Sequence, residues 1–513
     1  MKRLMNLRVF LILAIAMLVA STFVTYVFIT NSLRLIIFSI LVALFAILLI
    51  ISIIYKFKFL YLFSAVLLFM SIPFINVYFR SKNLDKNYKF NESEVTVYGK
   101  FSENFSYTTS GNLKLTLDDV YIISNGETHK IDGKIQLYTN PSNFNLDDFK
   151  LGRYISASTE LSFYFLDGNS SSMFYLNRNI VASGYALFYE ITFTDDYNIT
   201  LRDRIRNFTL EYLNKFDVEY SEIGYAMIFG DTSFIDGNVI ETFRNTGIAH
   251  ILAVSGLHVS LIVGILSFIL KKLKVPNKVN FVIFGITLLF YSYLCNFSVS
   301  VIRAALMSMF VLYASIRGKA YDNLSVLSFV AVLILLVDPL KMYNISFVLS
   351  FSAVLSIILL ASPIKRFLFR YFKPKMASTL SLNLAVQFGL LVINAYYFER
   401  YQLLGLLCNL ISVPLSMFSF IILIIGMAIS AILPFMSFIC DIYGYLMGLV
   451  VKFNHYISSL GFVIDFLEFN VLAIVLMLVV MFVLSDYIFV KRNKKIATCL
   501  VVLISSMLCY LMI

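Results

Sequence analysis

Apolar stretches of about 20 residues, the length that crosses a hydrocarbon core of about 30 Å, recur along this chain. Three open it, near residues 7–29, 33–55 and 58–80. Ten more follow near 251–270, 280–297, 299–316, 323–340, 344–362, 377–397, 403–433, 436–460, 463–488 and 496–513. The run at 403–433 contains Pro414 and is expected to kink or break there. Between the two sets, residues 81–200 change period. Ser93–Phe101, Gly111–Ile122, Lys130–Tyr138, Leu151–Tyr164 and Ile180–Thr194 alternate apolar and polar positions and are separated by Ser-Asn-Gly and Asn-Pro turns. Period-2 alternation predicts a small antiparallel barrel of about five strands.

The pattern divides the chain into a three-span segment (1–80), a β domain (81–200), a connector (201–248) and a transmembrane bundle (249–513). An OB-like barrel matches the β domain in size, although alternation alone does not separate it from other small barrels. In the connector, Leu201, Ile205, Phe208, Tyr212 and Phe216 share one helical face with charges opposite. Such a helix either lies along the outer leaflet or packs on protein, and packing is the expectation. Residues 219–246 are too polar to span.

Composition agrees: 60% of the 513 residues are apolar and 14% charged. Water-soluble domains average about 45–50% and about 25%, so a soluble protein is excluded. The fold class is a polytopic α-helical membrane protein of about thirteen spans with an inserted β-barrel. The formal charge of +11 is not by itself a sign of nucleic acid. The long basic clusters, Lys271–Lys278, Arg317–Lys319, Lys365–Lys375 and Lys491–Lys495, all count to the side of the N-terminus. The excess of Lys and Arg in inside loops then sets the N-terminus in the cytoplasm and residues 81–200 and the C-terminus outside. Lys2, Arg3 and Arg8 precede a run longer than a signal peptide's apolar core, so the first stretch reads as an anchor. All five cysteines (Cys295, Cys408, Cys440, Cys499, Cys509) lie in or beside spans, which excludes a disulfide framework in the β domain.

Ionisable groups inside spans cost about 2.5–3.5 kcal/mol each on insertion scales and are the first functional candidates. The densest group is Gly247–Val259 (GIAHILAVSGLHV). On one straight helix His250 and His258 lie about 80° apart and about 12 Å along the axis, too far to share a metal. Ser255 and Gly256 between them allow a bend. Three readings compete here: polar packing among helices, the lining of a hydrated path, and a Ser/His nucleophile or metal centre. The last is disfavoured, since no G-x-S-x-G elbow and no H-E-x-x-H spacing occurs. Arg303, one turn inside its span, either snorkels to the outer face or turns inward to meet an anion. Asp338-Pro339 reads as a helix stop. Ser346 and Ser350, at i, i+4, suit helix packing or a polar stripe equally. Gln387 and Asn409 are isolated span amides, more often interhelical contacts than ligands. No Walker A motif and no H-x-H-x-D-H cluster is present, which argues against an ATP-driven pump or a dinuclear metal hydrolase within this chain.

Taken in order, these features resemble the ComEC-type competence DNA-uptake channel family. The likeness is carried by Gly247–Val259, Arg303-Ala304 with Met307, Asp338-Pro339, Ser346–Ala353, Asn409–Pro414 and Tyr175–Gly184. It implies a noncatalytic channel of the cell membrane, without cofactor or metal, that passes single-stranded DNA inward during natural transformation. His250, Ser255, Gly256, His258, Arg303, Ser346, Ser350, Gln387 and Asn409 are the candidate path lining. Implied partners are single-stranded DNA, membrane lipids, a DNA receptor, a cytoplasmic motor and further copies of the chain. A metallo-β-lactamase-like domain, carried at the C-terminus by many members of the family, is missing from this sequence, so a separate nuclease is expected. Tyr107, Tyr121, Tyr138 and Tyr164 are candidate stacking residues on the barrel, with ordinary strand aromatics the preferred reading. The runner-up functions are a transporter of a small solute, lipid or polymer, and a noncatalytic membrane scaffold.

Overall fold

Lipid offers a peptide group no hydrogen-bond partner, so an apolar stretch that crosses it must pair its own amides. The computed structural model describes residues 9–26, 31–55, 58–108, 111–124, 126–141, 151–166, 169–216, 218–465 and 471–487. Helices α1 (Val9–Tyr26), α2 (Asn31–Tyr55) and α3 (Lys58–Asp85) precede the β region, which contains α4 (Ser170–Leu176). After it come α5 (Leu201–Lys215), α6 (Ser221–Phe229), α7 (Gly237–Asn245), α8 (Gly256–Lys272), α9 (Asn277–Leu294) and α10 (Val299–Arg317). The remainder are α11 (Asn323–Val337), α12 (Ile345–Leu368), α13 (Pro374–Phe398), α14 (Gly405–Ser430), α15 (Phe438–Ser459) and α16 (Val471–Leu484). Among the described residues eight helices, α2, α3, α9, α10 and α12 to α15, are long and apolar enough to cross a membrane. Three more, α1, α11 and α16, are shorter apolar helices. The run expected to kink or break at Pro414 is one uninterrupted helix, α14. The expected span at 496–513 and the cluster Lys491–Lys495 lie outside the described residues.

The chain divides into two compact units, Met1–Tyr212 with Ser328–Phe347, and Leu213–Leu327 with Val348–Ile513. The first contains the β domain. Its strands are β1 (Ser93–Tyr107), β2 (Leu113–Ser124), β3 (Glu127–Ile131), β4 (Lys134–Thr139), β5 (Arg153–Phe163), β6 (Ile180–Tyr185) and β7 (Ile191–Tyr197). Five of them close a ring in the order β1-β2-β4-β6-β5, with β5 returning to β1. β3 extends the edge of β2, and β7 pairs with β5. The alternation read from sequence fills the barrel: Val97, Leu113, Leu115, Leu117, Val120, Ile122, Ile135, Leu137, Ile155, Ala157 and Leu161 are fully buried.

Two expectations need correction. Each of the runs Lys130–Tyr138 and Ile180–Thr194 is two strands, not one, divided at Asp132-Gly133 and at a 3₁₀ turn, Phe188–Glu190. The barrel is also not wholly antiparallel, since β4 and β6 run parallel. The reason is parity. Strand direction cannot alternate all the way round a closed ring of five, so at least one neighbouring pair must be parallel. Gly133 makes the turn between β3 and β4 at φ +139°, where a Cβ would lie 2.5 Å from Val181 Cγ1 and 3.2 Å from the Asn179 carbonyl. Only glycine meets both conditions.

A half-buried polar cluster in the same unit ties this barrel to the end of α3. Arg80 pairs with both carboxylate oxygens of Asp338 at 3.2 Å and donates to the Leu176 carbonyl. Lys341 donates to the Asn177 carbonyl at 2.6 Å, and Asn344 Nδ2 to Asn177 Oδ1 at 3.0 Å. Asp338 also accepts the Leu340 amide at 3.0 Å, capping the 3₁₀ turn Pro339–Tyr343. The helix does stop before Asp338-Pro339, at Val337, but Asp338 serves as an anchor as well as a stop.

Helix α5 departs from its sequence reading. Leu201 and Phe208 are 57% and 62% exposed, whereas Asp203, Arg206 and Thr209 are buried. The helix does pack on protein, but through Asp203, Arg206 and Thr209 as well as Tyr212 and Leu213. The Thr200 amide and hydroxyl donate to Asp203 Oδ2 at 3.0 and 2.6 Å, and the Asp203 amide returns a bond to Thr200 Oγ1 at 3.2 Å. This reciprocal pair removes two orphan donors of the first turn.

Two outcomes are expected. Asp338→Ala leaves Arg80 and Lys341 without their carboxylate and should lower stability by about 1–3 kcal/mol, partial exposure keeping the loss below that of a fully buried pair. It should also raise trypsin cleavage in the barrel of the purified full chain, and an unchanged melting temperature and cleavage pattern would contradict the anchor. Gly133→Ala should cost about 1–3 kcal/mol through backbone strain and displacement of Val181, read as a lower thermal midpoint by circular dichroism.

Candidate functional site

The second unit holds most of the candidate residues, and its local geometry starts at a helix terminus. The segment Gly247–Val259 is not one helix. Ala249–Ile251 forms a 3₁₀ turn that carries an exposed His250, and α8 begins only at Gly256. The helical spacing of His250 and His258 argued from sequence therefore does not apply. Ser255 is the reason. Its extended backbone (φ −112°, ψ 170°) ends the turn, and its hydroxyl accepts the Leu257 amide at 3.2 Å. His258, at the third position of the helix, reaches back so that its Nδ1 accepts the Ser255 amide at 3.0 Å. This is a capping box with histidine in the place usually taken by Glu or Gln.

The capping bond also bears on the roles of Ser255 and His258. Ser255 Oγ lies 3.1 Å from His258 Nδ1, a distance that would suit a nucleophile and its base. The Nδ1 lone pair already holds the Ser255 amide, so the pair supports helix capping rather than hydroxyl activation. With Nδ1 accepting, a neutral imidazole carries its proton on Nε2. His258 is fully buried, packed edge-on to Phe420 of α14 at 5.0 Å, and its Nε2 has no hydrogen-bond partner among the described residues.

Arg303 meets this terminus. It sits one turn inside α10 and is only 7% exposed, so it turns inward and does not snorkel. One terminal nitrogen donates to the Ser350 carbonyl on α12. The other lies 2.6 Å from where a Cβ on Gly256 would stand. Glycine at the first position of α8 is thus what admits the guanidinium. Among the described residues Arg303 Nε has no hydrogen-bond partner and no carboxylate pairs with the charge. Beneath, Val254, Val259, Leu288, Tyr291, Val301, Ala304 and Ala305 form a core in which small residues let α8, α9 and α10 approach closely.

A cation sealed away from carboxylates, a helix N-terminus and an unpartnered N–H share one chemistry. The first helical amides carry a partial positive charge of about half a unit, and together with Arg303 they favour an anion. Ser255, Gly256, His258, Arg303 and Ser350 are therefore drawn into one group. Gln387 and Asn409 belong elsewhere. Gln387 Oε1 accepts the Tyr401 hydroxyl at 3.3 Å, and Asn409 donates within its own helix to the Gly405 carbonyl at 2.8 Å. Ser346 lies in the other unit, where its amide is capped by Asn344 at 2.9 Å.

The barrel tyrosines separate in the same way. Tyr164 stacks on Tyr175 at 4.4 Å and bonds Ser183, Tyr138 bonds Gln136, and Tyr107 is exposed at the end of β1. Tyr121 faces outward beside Lys130. Sequence reasoning missed two contacts of the bundle, the Gly256–Arg303 approach and the capping role of His258. The S-x-x-H spacing was the only local signal of the second.

Comparison with known proteins bears on this arrangement. The Competence protein family matches residues 227–490, which include the whole group. Recombination protein 2 of Haemophilus influenzae is 31% identical over 215 residues, 39% of this chain and 27% of that protein. ComE operon protein 3 of Bacillus subtilis is 27% identical over 220 residues, 43% of this chain and 27% of that protein. Competence protein ComA of Neisseria gonorrhoeae is 26% identical over 197 residues, 37% and 28% of the two chains. The match therefore spans little more than a quarter of each of these curated relatives. No solved structure matches the chain significantly. With its capped α8 terminus and inward Arg303 inside a match that covers more than half of its length, the chain belongs to the ComEC-type competence protein family.

Proposed function

We propose that this chain is a membrane channel that takes part in DNA uptake, passing one strand from outside the cell to the cytoplasm during natural transformation. The observation that carries the reading is Arg303, nine-tenths buried without a carboxylate partner among the described residues and set against the first turn of α8. An unpaired buried charge costs several kcal/mol, and such a cost is retained where an anion visits. A DNA strand carries one negative charge per nucleotide and cannot cross hydrocarbon, so it needs polar and cationic stations along a hydrated route. The α8 terminus, His258 and Arg303 are suited to be one such station. Family membership supports the substrate.

The rest of the reading is built on the same frame. Eleven of the expected spans correspond to apolar helices in the described residues, which supports a bundle of about thirteen spans in the cell membrane. Distribution of Lys and Arg supports a cytoplasmic N-terminus and an external barrel. A closed five-strand ring whose order is β1-β2-β4-β6-β5 supports an OB-like assignment for that barrel. The chain acts without catalysis in this account, with a receptor delivering DNA outside and a motor drawing it in.

Arg303→Gln keeps a donor for the Ser350 carbonyl and removes the charge. A charge-assisted hydrogen bond contributes about 1.5–3 kcal/mol, so entry of labelled DNA into the cytoplasm should fall about ten- to hundred-fold at equal protein level in the membrane. Gly256→Ala, which pushes the guanidinium off the helix terminus, should reduce entry in the same assay. Normal entry in both variants would contradict the station and favour a structural role for Arg303. A chain deletion that leaves entry unchanged would sink the whole channel reading.

A further inference from the structure

Residues 219–246 are too polar to span, yet α6, inside that stretch, is buried over most of its length. Ile223, Gly224, Tyr225, Ala226, Met227 and Phe229 are all buried. Its N-terminal end is seated on α14 and α15. A Cβ on Gly224 would lie 2.7 Å from Leu423 Cδ2 and 3.0 Å from the Tyr443 hydroxyl. Gly444 and Gly448, one turn apart on α15, leave room for the start of the segment. There a Cβ would come within 3.0 Å of Glu219 Cβ and 3.1 Å of Tyr220 Cε2.

These contacts set the depth of α6 in the bundle. Phe438 to Gly444 is about 9 Å of helix and Leu423 to Ser430 about 10 Å, and the short turn 431–437 joins the two helix ends. Both helices therefore place Glu219 and Tyr220 about 10 Å in from the same membrane side. The opposite end of α6 reaches the Arg303 group. The Ile228 carbonyl accepts the Tyr291 hydroxyl of α9 at 3.1 Å, and a Cβ on Gly230 would lie 3.2 Å from Val254 Cγ2, next to Ser255. Nine residues make about 13 Å, under half of a hydrocarbon core of about 30 Å, so α6 enters the bundle without crossing it. Polar groups stand at both of its ends, Arg303 and the α8 terminus at one, exposed Glu219 and half-buried Glu222 at the other. A carboxylate facing hydrocarbon at that depth is costly, so an exposed Glu219 calls for water there. Between the two runs the apolar body of α6.

We propose that α6 is the gate of the channel, an apolar plug that seals the Arg303 group from a hydrated vestibule at Glu219 and shifts aside when a strand passes. An unsealed hydrated route would leak ions across the cell membrane, whereas a stretch of apolar side chains excludes water and stops them. The attachment of α6 suits a part that moves. Both ends turn through left-handed residues, Tyr220 at φ 57° and Gly230 at φ 78°, and tyrosine holds that conformation only under constraint from its surroundings. Each end is tied by a neutral phenolic bond, Tyr443 to the Tyr220 carbonyl at 2.9 Å and Tyr291 to Ile228. The seats on α15 are glycines, which offer no side chain to interlock with the helix. The gate rests on the channel reading above and supplies its regulation.

The test uses the full chain, in cells and in nanodiscs. Glu219→Cys with Gly444→Cys puts thiols on positions whose Cβ atoms lie 3.0 Å apart, close enough for a disulfide. Oxidation of the pair should abolish entry of labelled DNA, reductant should restore it, and neither single variant should respond to the oxidant. In nanodiscs, Ala226→Cys, at a fully buried position, should react slowly with a membrane-impermeant methanethiosulfonate, read at that residue by peptide mass spectrometry. Adding Tyr291→Phe and Tyr443→Phe, which keep the rings and remove both ties, should speed labelling about five- to hundred-fold, the weight of two neutral hydrogen bonds. Normal entry through the oxidised pair, or labelling that ignores both hydroxyls, would make α6 a fixed wall and overturn the gate. Should the cysteine pair fail to reach the membrane, labelling uses neither position and decides alone. Entry unaffected by the crosslink, in a protein whose deletion abolishes uptake, overturns the gate and keeps the channel. Uptake that survives deletion sinks the channel, and labelling still shows whether α6 opens.

Discussion

A guanidinium inside a lipid-facing bundle must be answered by something, and no carboxylate among the described residues answers Arg303. The local fold is arranged around that charge. A 3₁₀ turn ends at Ser255 so that α8 begins beside it, glycine at the first helical position leaves it room, and Ser350 lends a carbonyl from α12. None of these contributions neutralises the charge. The α8 terminus adds positive potential instead, since the amides of its first turn point along the axis out of the N-terminal end. A bundle evolved only for packing has no reason to set a cation against a helix N-terminus, because the two repel. In the proposed channel, an anion that comes and goes resolves the conflict.

The polar cluster at the end of α3 follows the opposite logic: its charges are matched. Arg80, Asp338, Lys341, Asn344 and Asn177 join the end of α3, the β6 approach and the 3₁₀ turn at Pro339 through bonds in which each partner is satisfied. Such a network favours one geometry, as partial satisfaction costs more than an apolar contact. A barrel fixed to its membrane helix in this way offers a stationary surface.

Much of this was readable from the chain. Long apolar runs and period-2 alternation are local signals, and among the described residues eleven apolar helices lie where the runs predict and strands occupy all five alternating stretches. The inward course of Arg303 was one of two open readings, because a residue one turn inside a span can reach either way until its neighbours are known. What sequence hid is non-local. The parallel β4–β6 pair follows from closing an odd ring, which no single strand encodes. Asp338 reads as a helix stop because Arg80 is 258 positions away. His258 reads as a path candidate because its capping bond depends on a break at Ser255 that a straight-helix geometry does not contain. The burial of the polar face of α5 likewise rests on partners such as Thr200, whose effect outweighs the apolar stripe.

The most direct test of the buried-cation account is an electron cryo-microscopy map of the chain in a lipid nanodisc, arrested with a single DNA strand part-way through. The account predicts strand density inside the bundle, with a phosphate against Arg303 Nε and the first amides of α8. An Arg303 sealed among apolar side chains, with no density for water or strand beside it and the DNA held elsewhere, would contradict it.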